Sequence, residues 1–188
     1  MGSRYAIYFI PTSDNEFYQA GSRVLGYDIR LQEVRSTNSE DNPPLLLHFG
    51  SAHYFGFHAT IRGTFKTYGL PELENKLSLL ARNTSPITID NSYIHSLSHK
   101  DRVVLFNSSP ESKHCLFQFH AQVVRLVNEY RVKDYIAPET EAIIHTLGYR
   151  EIQLLKAHGD TRVMDGHIFH FTLANRASAE ELALRQIH

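Results

Sequence analysis

The chain has 188 residues, 42% hydrophobic and 21% charged, with no Trp and a formal net charge of −1. That length supports one good-sized domain or two small lobes sharing a core, and the charge argues against a broad basic surface of the kind that grips long duplex nucleic acid. A single cysteine, Cys115, excludes an intramolecular disulfide and a Cys-rich zinc module, and no apolar run approaches the roughly 18 residues a membrane helix needs.

No secretory leader pattern opens the chain, so a cytoplasmic protein is expected. Met1-Gly2-Ser3 reads as an appended remnant and does not enter the reading of the fold; one domain is expected over 1–188. Arg4 to Pro11 alternates and is β-rich until Pro11 stops it, which predicts a strand. Ser13 or Asp14 can cap a helix carrying Phe17, Ala20, Val24 and Leu25 and ending at Gly26. Arg35 to Leu46 is polar, contains Pro43-Pro44, and reads as a surface loop. Tyr54 to Phe65 predicts a strand, and Leu70 to Asn83 an amphipathic helix with Pro71 in its first turn. Two strands, Ile87 to Leu97 and Arg102 to Asn107, flank His99-Lys100-Asp101 as a hairpin. The longest helical pattern runs from Glu111 to about Asp134, with Phe117, Ala121, Val124 and Val127 or Leu126 on one face and Cys115 expected as a buried thiol. Shorter helices are expected at Pro138 to Thr146 and Arg150 to Ala157, then a strand within Gly166 to Arg176 and a helix from Ser178 to Ile187. Strands and helices alternate irregularly, with a hairpin, so the fold class is α+β rather than doubly wound.

Two of these strands carry the same phrase. Phe57-His58-Ala59-Thr60-Ile61 and Phe169-His170-Phe171-Thr172-Leu173 both read apolar-His-x-Thr-apolar. Residues two apart on a strand point to one side, so His58, Thr60, Arg62 and Thr64 are expected on one face and Phe57, Ala59 and Ile61 on the other. His170, Thr172 and Arg176 repeat the pattern against Phe169, Phe171 and Leu173. One phrase in each half suggests two lobes facing each other. Two histidines can divide acid and base roles near neutral pH, while hydroxyl and guanidinium donors suit phosphate oxygens. The group that needs two proton handlers and several anion donors, without a metal, is a phosphodiester.

The paired phrases resemble the 2H phosphoesterase superfamily, whose members include cyclic nucleotide phosphodiesterases and RNA 2′,5′-ligase-like proteins. "RYAIYFIP", "FGFHATIRGTF" and "LLKAHGDTRVMDGHIFHFTLANR" are more closely similar to its phosphonate-metabolism branch (DUF1045), in order and separation over nearly the whole chain. The resemblance implies a bilobal α+β fold of the 2H phosphoesterase and RNA ligase-like type. In that fold two antiparallel β-sheets line a central cleft and helices lie outside. It implies that His58 and His170 are catalytic and that Thr60 and Thr172 bind phosphate. It places Arg62 where the branch commonly has lysine, and Arg176 on the arginine after the second motif. The chain departs from the branch at His158 to Val163, where an aromatic and proline-containing segment is usual.

The expected activity is metal-independent hydrolysis of a cyclic phosphodiester: a 2′,3′-cyclic nucleotide, a ribose cyclic phosphate or an RNA end. No cofactor, metal or membrane is expected. The spacing His167-x-x-His170 would place its two rings on opposite faces of a strand, and His95-x-x-x-His99 has no HExxH-type frame. His114 and His120 are expected to be surface or packing residues. A single strand histidine is more often a satisfied structural residue, so catalysis rests on the matched pair. A second reading keeps the cleft as a non-catalytic module for a phosphorylated nucleotide or RNA end, and a third treats the two phrases as accidental in a structural protein. The pattern leaves open the exact substrate, the oligomeric state, and which histidine is base.

Overall fold

The structure, a computed structural model, describes residues 3–34, 52–89, 92–97, 102–107 and 109–175. The polar loop at 35–46, the hairpin turn at 99–101, Arg176 and the expected last helix lie wholly or largely outside the described residues. The described chain is mixed α+β, with antiparallel pairing and several helices. It falls into two compact units. One holds the described residues up to 8, 60–89 and 109–169; the other holds 9–34, 52–59, 92–97, 102–107 and 170–175.

In the first unit, strand β1 (Arg4–Phe9) neighbours β4 (Ala59–Lys66), whose buried face is continued by two helices. Helix α3 runs Leu70–Asn83, the range predicted, with Pro71 at its start where a missing N–H costs nothing. Helix α4 (Pro110–Tyr130) starts at Ser109, whose hydroxyl accepts from the Ser112 N–H at 3.3 Å. Ile61, Phe65, Leu73, Val123 and Val127 form the core between them, with Tyr5, Ile7 and Leu77 packed at its edge. Each such side chain withdrawn from water is worth about 1.5–3 kcal/mol. The buried face of α4 is Leu116, His120, Ala121, Val123, Val124 and Val127. This corrects the predicted face at its start: Cys115 is exposed and Phe117 is 40% exposed, because Leu116 between them turns inward. The Pro138 to Thr146 pattern resolves into α5 (Pro138–Glu141) and a 3-10 turn at Ile144–Thr146, and α6 spans Tyr149–His158.

In the second unit, helix α1 (Glu16–Leu25) is capped by Asn15, whose carbonyl oxygen accepts from the Phe17 and Tyr18 N–H groups at 2.9 and 3.3 Å. The cap is one residue beyond the predicted Ser13 or Asp14, and the helix stops at Gly26 in the left-handed region, φ 67°. A two-residue ribbon follows, β2 (Tyr27–Asp28) against β3 (Glu33–Val34), and then a single turn, α2 (Ala52–Phe55). Strands β5 (Ser92–Leu97) and β6 (Arg102–Asn107) pair antiparallel as the expected hairpin, although β5 begins five residues later than predicted. β7 (His170–Asn175) pairs antiparallel with β6 on one side, and its Phe171 pairs with Ala59, the first residue of β4, on the other.

Candidate functional site

The two His-x-Thr phrases meet at one register pair. Ala59 lies opposite Phe171 in an antiparallel ladder. Continuing that register one step sets His58 opposite Thr172 and leaves His170 on the diagonal, about 7–8 Å away in a regular ladder. His58 stands just before β4 rather than in mid-strand, since the ladder starts at Ala59, whereas His170 is the first residue of β7. Along the chain Phe57, Ala59 and Ile61 are buried, and His58 and Thr60 are half-buried. Phe171 and Leu173 are likewise buried, and His170 and Thr172 half-buried. The predicted alternation therefore holds through the first phrase and from His170 to Leu173 in the second, while Phe169, expected on the buried face, is only half-buried.

Beneath the histidines the buried residues stack. The Phe57 and Phe171 rings lie 4.7 Å apart at 16°, and Phe17 of α1 meets both edge-on, at 4.9 and 5.1 Å. Such ring pairs add about 0.5–1.5 kcal/mol each beyond their burial. Because Phe57 precedes one histidine and Phe171 follows the other, the stack fixes the register that sets the two imidazoles.

His58 has a defined protonation geometry. Its Nδ1 lies 2.9 Å from the Gly56 carbonyl, which can only accept, so Nδ1 carries the hydrogen and Nε2 keeps the lone pair in the neutral ring. Burial pushes the His58 pKa below the ordinary histidine value, and the Gly56 and Phe55 carbonyls partly oppose that. Gly56 has φ 65°, where a Cβ would stand 2.6 Å from Ile29 Cβ. A glycine is required there on both counts.

Arg62 departs from the expected role. It is 1% exposed, and with Ile61 it makes two consecutive buried residues, breaking the alternation. Its Nη1 donates to Asp160 Oδ2 at 2.7 Å and to the Gly63 carbonyl at 3.1 Å, and its Nη2 donates to the His158 carbonyl at 2.8 Å. Gly63 has no side chain where one would overlap the Asp160 carboxylate. The guanidinium expected to face phosphate is instead built into the scaffold, bolting the 158–160 segment onto β4. Desolvation lowers the Arg62 pKa, the Asp160 carboxylate opposes this, and the nearby cations Arg131 and Arg162 add to it. Thr60 stands next along β4 from Ala59, and Arg176 lies outside the described residues.

His120, expected at the surface or in packing, is a buried connector. Its Nδ1 donates to the Ile61 carbonyl at 2.7 Å, its Nε2 accepts from the Met164 N–H at 2.9 Å, and its ring stacks on His167 at 3.8 Å. Among the described residues no group of three or more His, Cys, Asp or Glu is arranged to hold a metal ion. Two features were missed in the sequence: the Arg62–Asp160 pair, whose members lie 98 positions apart, and the glycine before His58. The second left a trace, because a lone Gly between Phe55 and Phe57 at the head of a strand marks a special backbone conformation.

A family described as "Protein of unknown function (DUF1045)" matches residues 64–187, which takes in His170, Thr172 and Arg176 and leaves the first phrase outside. Ribose 1,5-bisphosphate phosphokinase PhnN of Janthinobacterium sp. (strain Marseille) is 36% identical over 69 residues, which is 35% of this chain and 15% of that protein. The chain thus spans only a small part of the curated relative it matches. No solved structure matches the chain.

Proposed function

The chain belongs to the DUF1045 family, and on that premise we propose that it is a metal-independent phosphodiesterase of the 2H type, acting on a small cyclic phosphodiester. The observation that carries this reading is the Ala59–Phe171 pair, since His58 and His170 each stand one residue before a member of it; the register continued one regular step would put Thr172 opposite His58. Two imidazoles at that spacing can flank a phosphorus. One removes a proton from water as the water oxygen bonds to phosphorus. The other gives a proton to the ribose oxygen as its bond to phosphorus breaks. Thr60 and Thr172 donate to the non-bridging oxygens, where negative charge grows.

The relative's name, an enzyme of ribose 1,5-bisphosphate, supports a ribose phosphate frame for the substrate and fits the family's phosphonate association. A ribose cyclic phosphate or a 2′,3′-cyclic nucleotide has the required ester, as does an RNA end. No step calls for a metal, so chelation leaves turnover intact.

The test is phosphorus NMR of ribose cyclic phosphates and 2′,3′-cyclic nucleotides incubated with the protein in EDTA, beside His58→Ala and His170→Ala. Ring opening by the wild type, and a loss of about 10²–10⁴-fold in each variant, is expected. Binding shifts with no turnover in any protein would replace the enzyme with a non-catalytic module. Equal turnover in wild type and both variants would remove the histidines from the chemistry.

A further inference from the structure

We infer that His58 is the general base of the pair, and that Tyr18, Asp28 and Ile29 are positioning residues that make it so by holding Gly56. The inference rests on the phosphodiesterase reading for its chemistry, though its structural part stands independently.

The argument starts inside the second unit. Tyr18 of α1 is fully buried, and its hydroxyl donates to Asp28 Oδ1 at 2.5 Å. The same oxygen accepts from the Arg30 N–H at 3.0 Å and the Leu31 N–H at 3.2 Å, so the chain wraps round one buried carboxylate. Arg30 is tied in turn, its Nε to the Pro11 carbonyl at 2.7 Å and its Nη2 to the Ile10 carbonyl at 2.8 Å. Ile29 is therefore carried on a rigid turn, and it is this side chain that lies against Gly56. A second support comes from α1, where Gly21 lets the helix sit directly on the Phe57 ring. The segment from Gly56 to His58 is gripped from both sides.

The grip has a chemical result. Gly56 in its left-handed conformation presents its carbonyl to His58 Nδ1. A neutral imidazole has one donor and one acceptor nitrogen, so fixing the proton on Nδ1 fixes the lone pair on Nε2. A ring prepared in that form accepts a proton. As water attacks phosphorus, Nε2 takes its proton and His58 becomes imidazolium, still bonded to Gly56. The phosphorus–oxygen bond to ribose breaks, and that oxygen takes a proton from His170. Water has been added across one ester bond, and exchange with solvent resets both rings.

Two measurements test this. Nitrogen NMR of the histidine-labelled full chain at pH 8, with His58 assigned by its loss in His58→Ala, reads the tautomer directly. We expect a protonated Nδ1 and a lone-pair Nε2 for His58. The opposite tautomer, or an average of the two, overturns the mount. Ile29→Ala, a change in the turn that spares the Asp28 hydrogen bonds, is expected to move the His58 resonances toward the average. It is also expected to lower kcat by about tenfold, part of what a well-placed base contributes, with KM unchanged. An Ile29→Ala protein with an unaltered His58 spectrum overturns the positioning role. The base assignment is read with a p-nitrophenyl phosphodiester, whose leaving group departs without a proton. His170→Ala should keep activity on it within about tenfold, while His58→Ala loses about 10²–10⁴-fold. The reverse order, or equal losses, overturns the assignment. A wild-type protein inactive on every ester defeats the enzyme reading and the base assignment with it, while the tautomer result still decides the mount.

Discussion

Removing the Asp160 carboxylate isolates what the buried pair does. In Asp160→Ala the Arg62 guanidinium keeps the Gly63 and His158 carbonyls as partners but loses its counter-charge, at 1% exposure and with its Nε already buried without a partner. Breaking a buried pair by removing one member costs about 3–5 kcal/mol, because the remaining charge stays desolvated. Natural domains hold about 5–15 kcal/mol in total. For a chain of this size each kcal/mol moves the melting temperature by about 2–4 °C, so a fall of about 6–20 °C is expected. Thermal and urea unfolding followed by circular dichroism measure it. The double variant Arg62→Met with Asp160→Ala should recover most of the loss, since no charge is left buried. Arg162, the second cation near Asp160 at 3.8 Å, is largely exposed and adds little. A cost below about 1 kcal/mol for Asp160→Ala, or no recovery in the double variant, would refute the scaffold role of Arg62.

Three further outcomes are expected. Burial depresses the pKa values of His58, His120 and His158. The unfolded chain therefore binds protons first, and stability should fall as pH drops through about 6.5 toward the folded values. For His120, protonation also removes the acceptor for the Met164 N–H, so the urea midpoint of His120→Phe should depend less on pH between 5 and 8 than that of the wild type. An unchanged slope would contradict this. Phe171→Ala empties the centre of the aromatic stack and should cost about 3–5 kcal/mol in urea unfolding; a loss under about 1 kcal/mol would mean that the stack does not hold the register. Gly63→Ala puts a methyl group where the Asp160 carboxylate lies, and its melting temperature should fall while Gly148→Ala, with more room, changes it less.

Elements whose signals are local were legible in the sequence. Helix α3 was bounded correctly because Pro71 and an amphipathic run act within the segment itself. The alternation from Phe57 to Ile61 and from His170 to Leu173 was legible too, since a two-residue period needs no partner to be seen; Phe169, ahead of its strand, falls outside it. What the sequence hid depends on distance. Cys115 and Phe117 straddle the true contact at Leu116, and only the docking of α4 decides which of three adjacent residues turns inward. Arg62 carries no sign in its neighbourhood that Asp160 will bury it. The late start of the strand at Ala59 follows from Gly56, whose left-handed turn interrupts extended chain before His58. Of the candidate site, the neighbouring of the two motif strands was legible; the register between them, and the proton position on His58, were not.

The Ala59–Phe171 pair has one more consequence. Antiparallel neighbours are related by a local two-fold axis through each facing pair, and the two histidines each stand one residue before a member of this one. They are near images of each other. On the proposed chemistry, a ligand laid across that axis would meet an imidazole from either side whichever way round it lay, and a reaction run backwards would use the same rings with their tasks exchanged. Near-equivalence of that kind leaves direction to whatever breaks it. Here one image is preceded, two residues earlier, by a left-handed glycine and the other by Ile168, so the two surroundings first differ at a residue with no side chain.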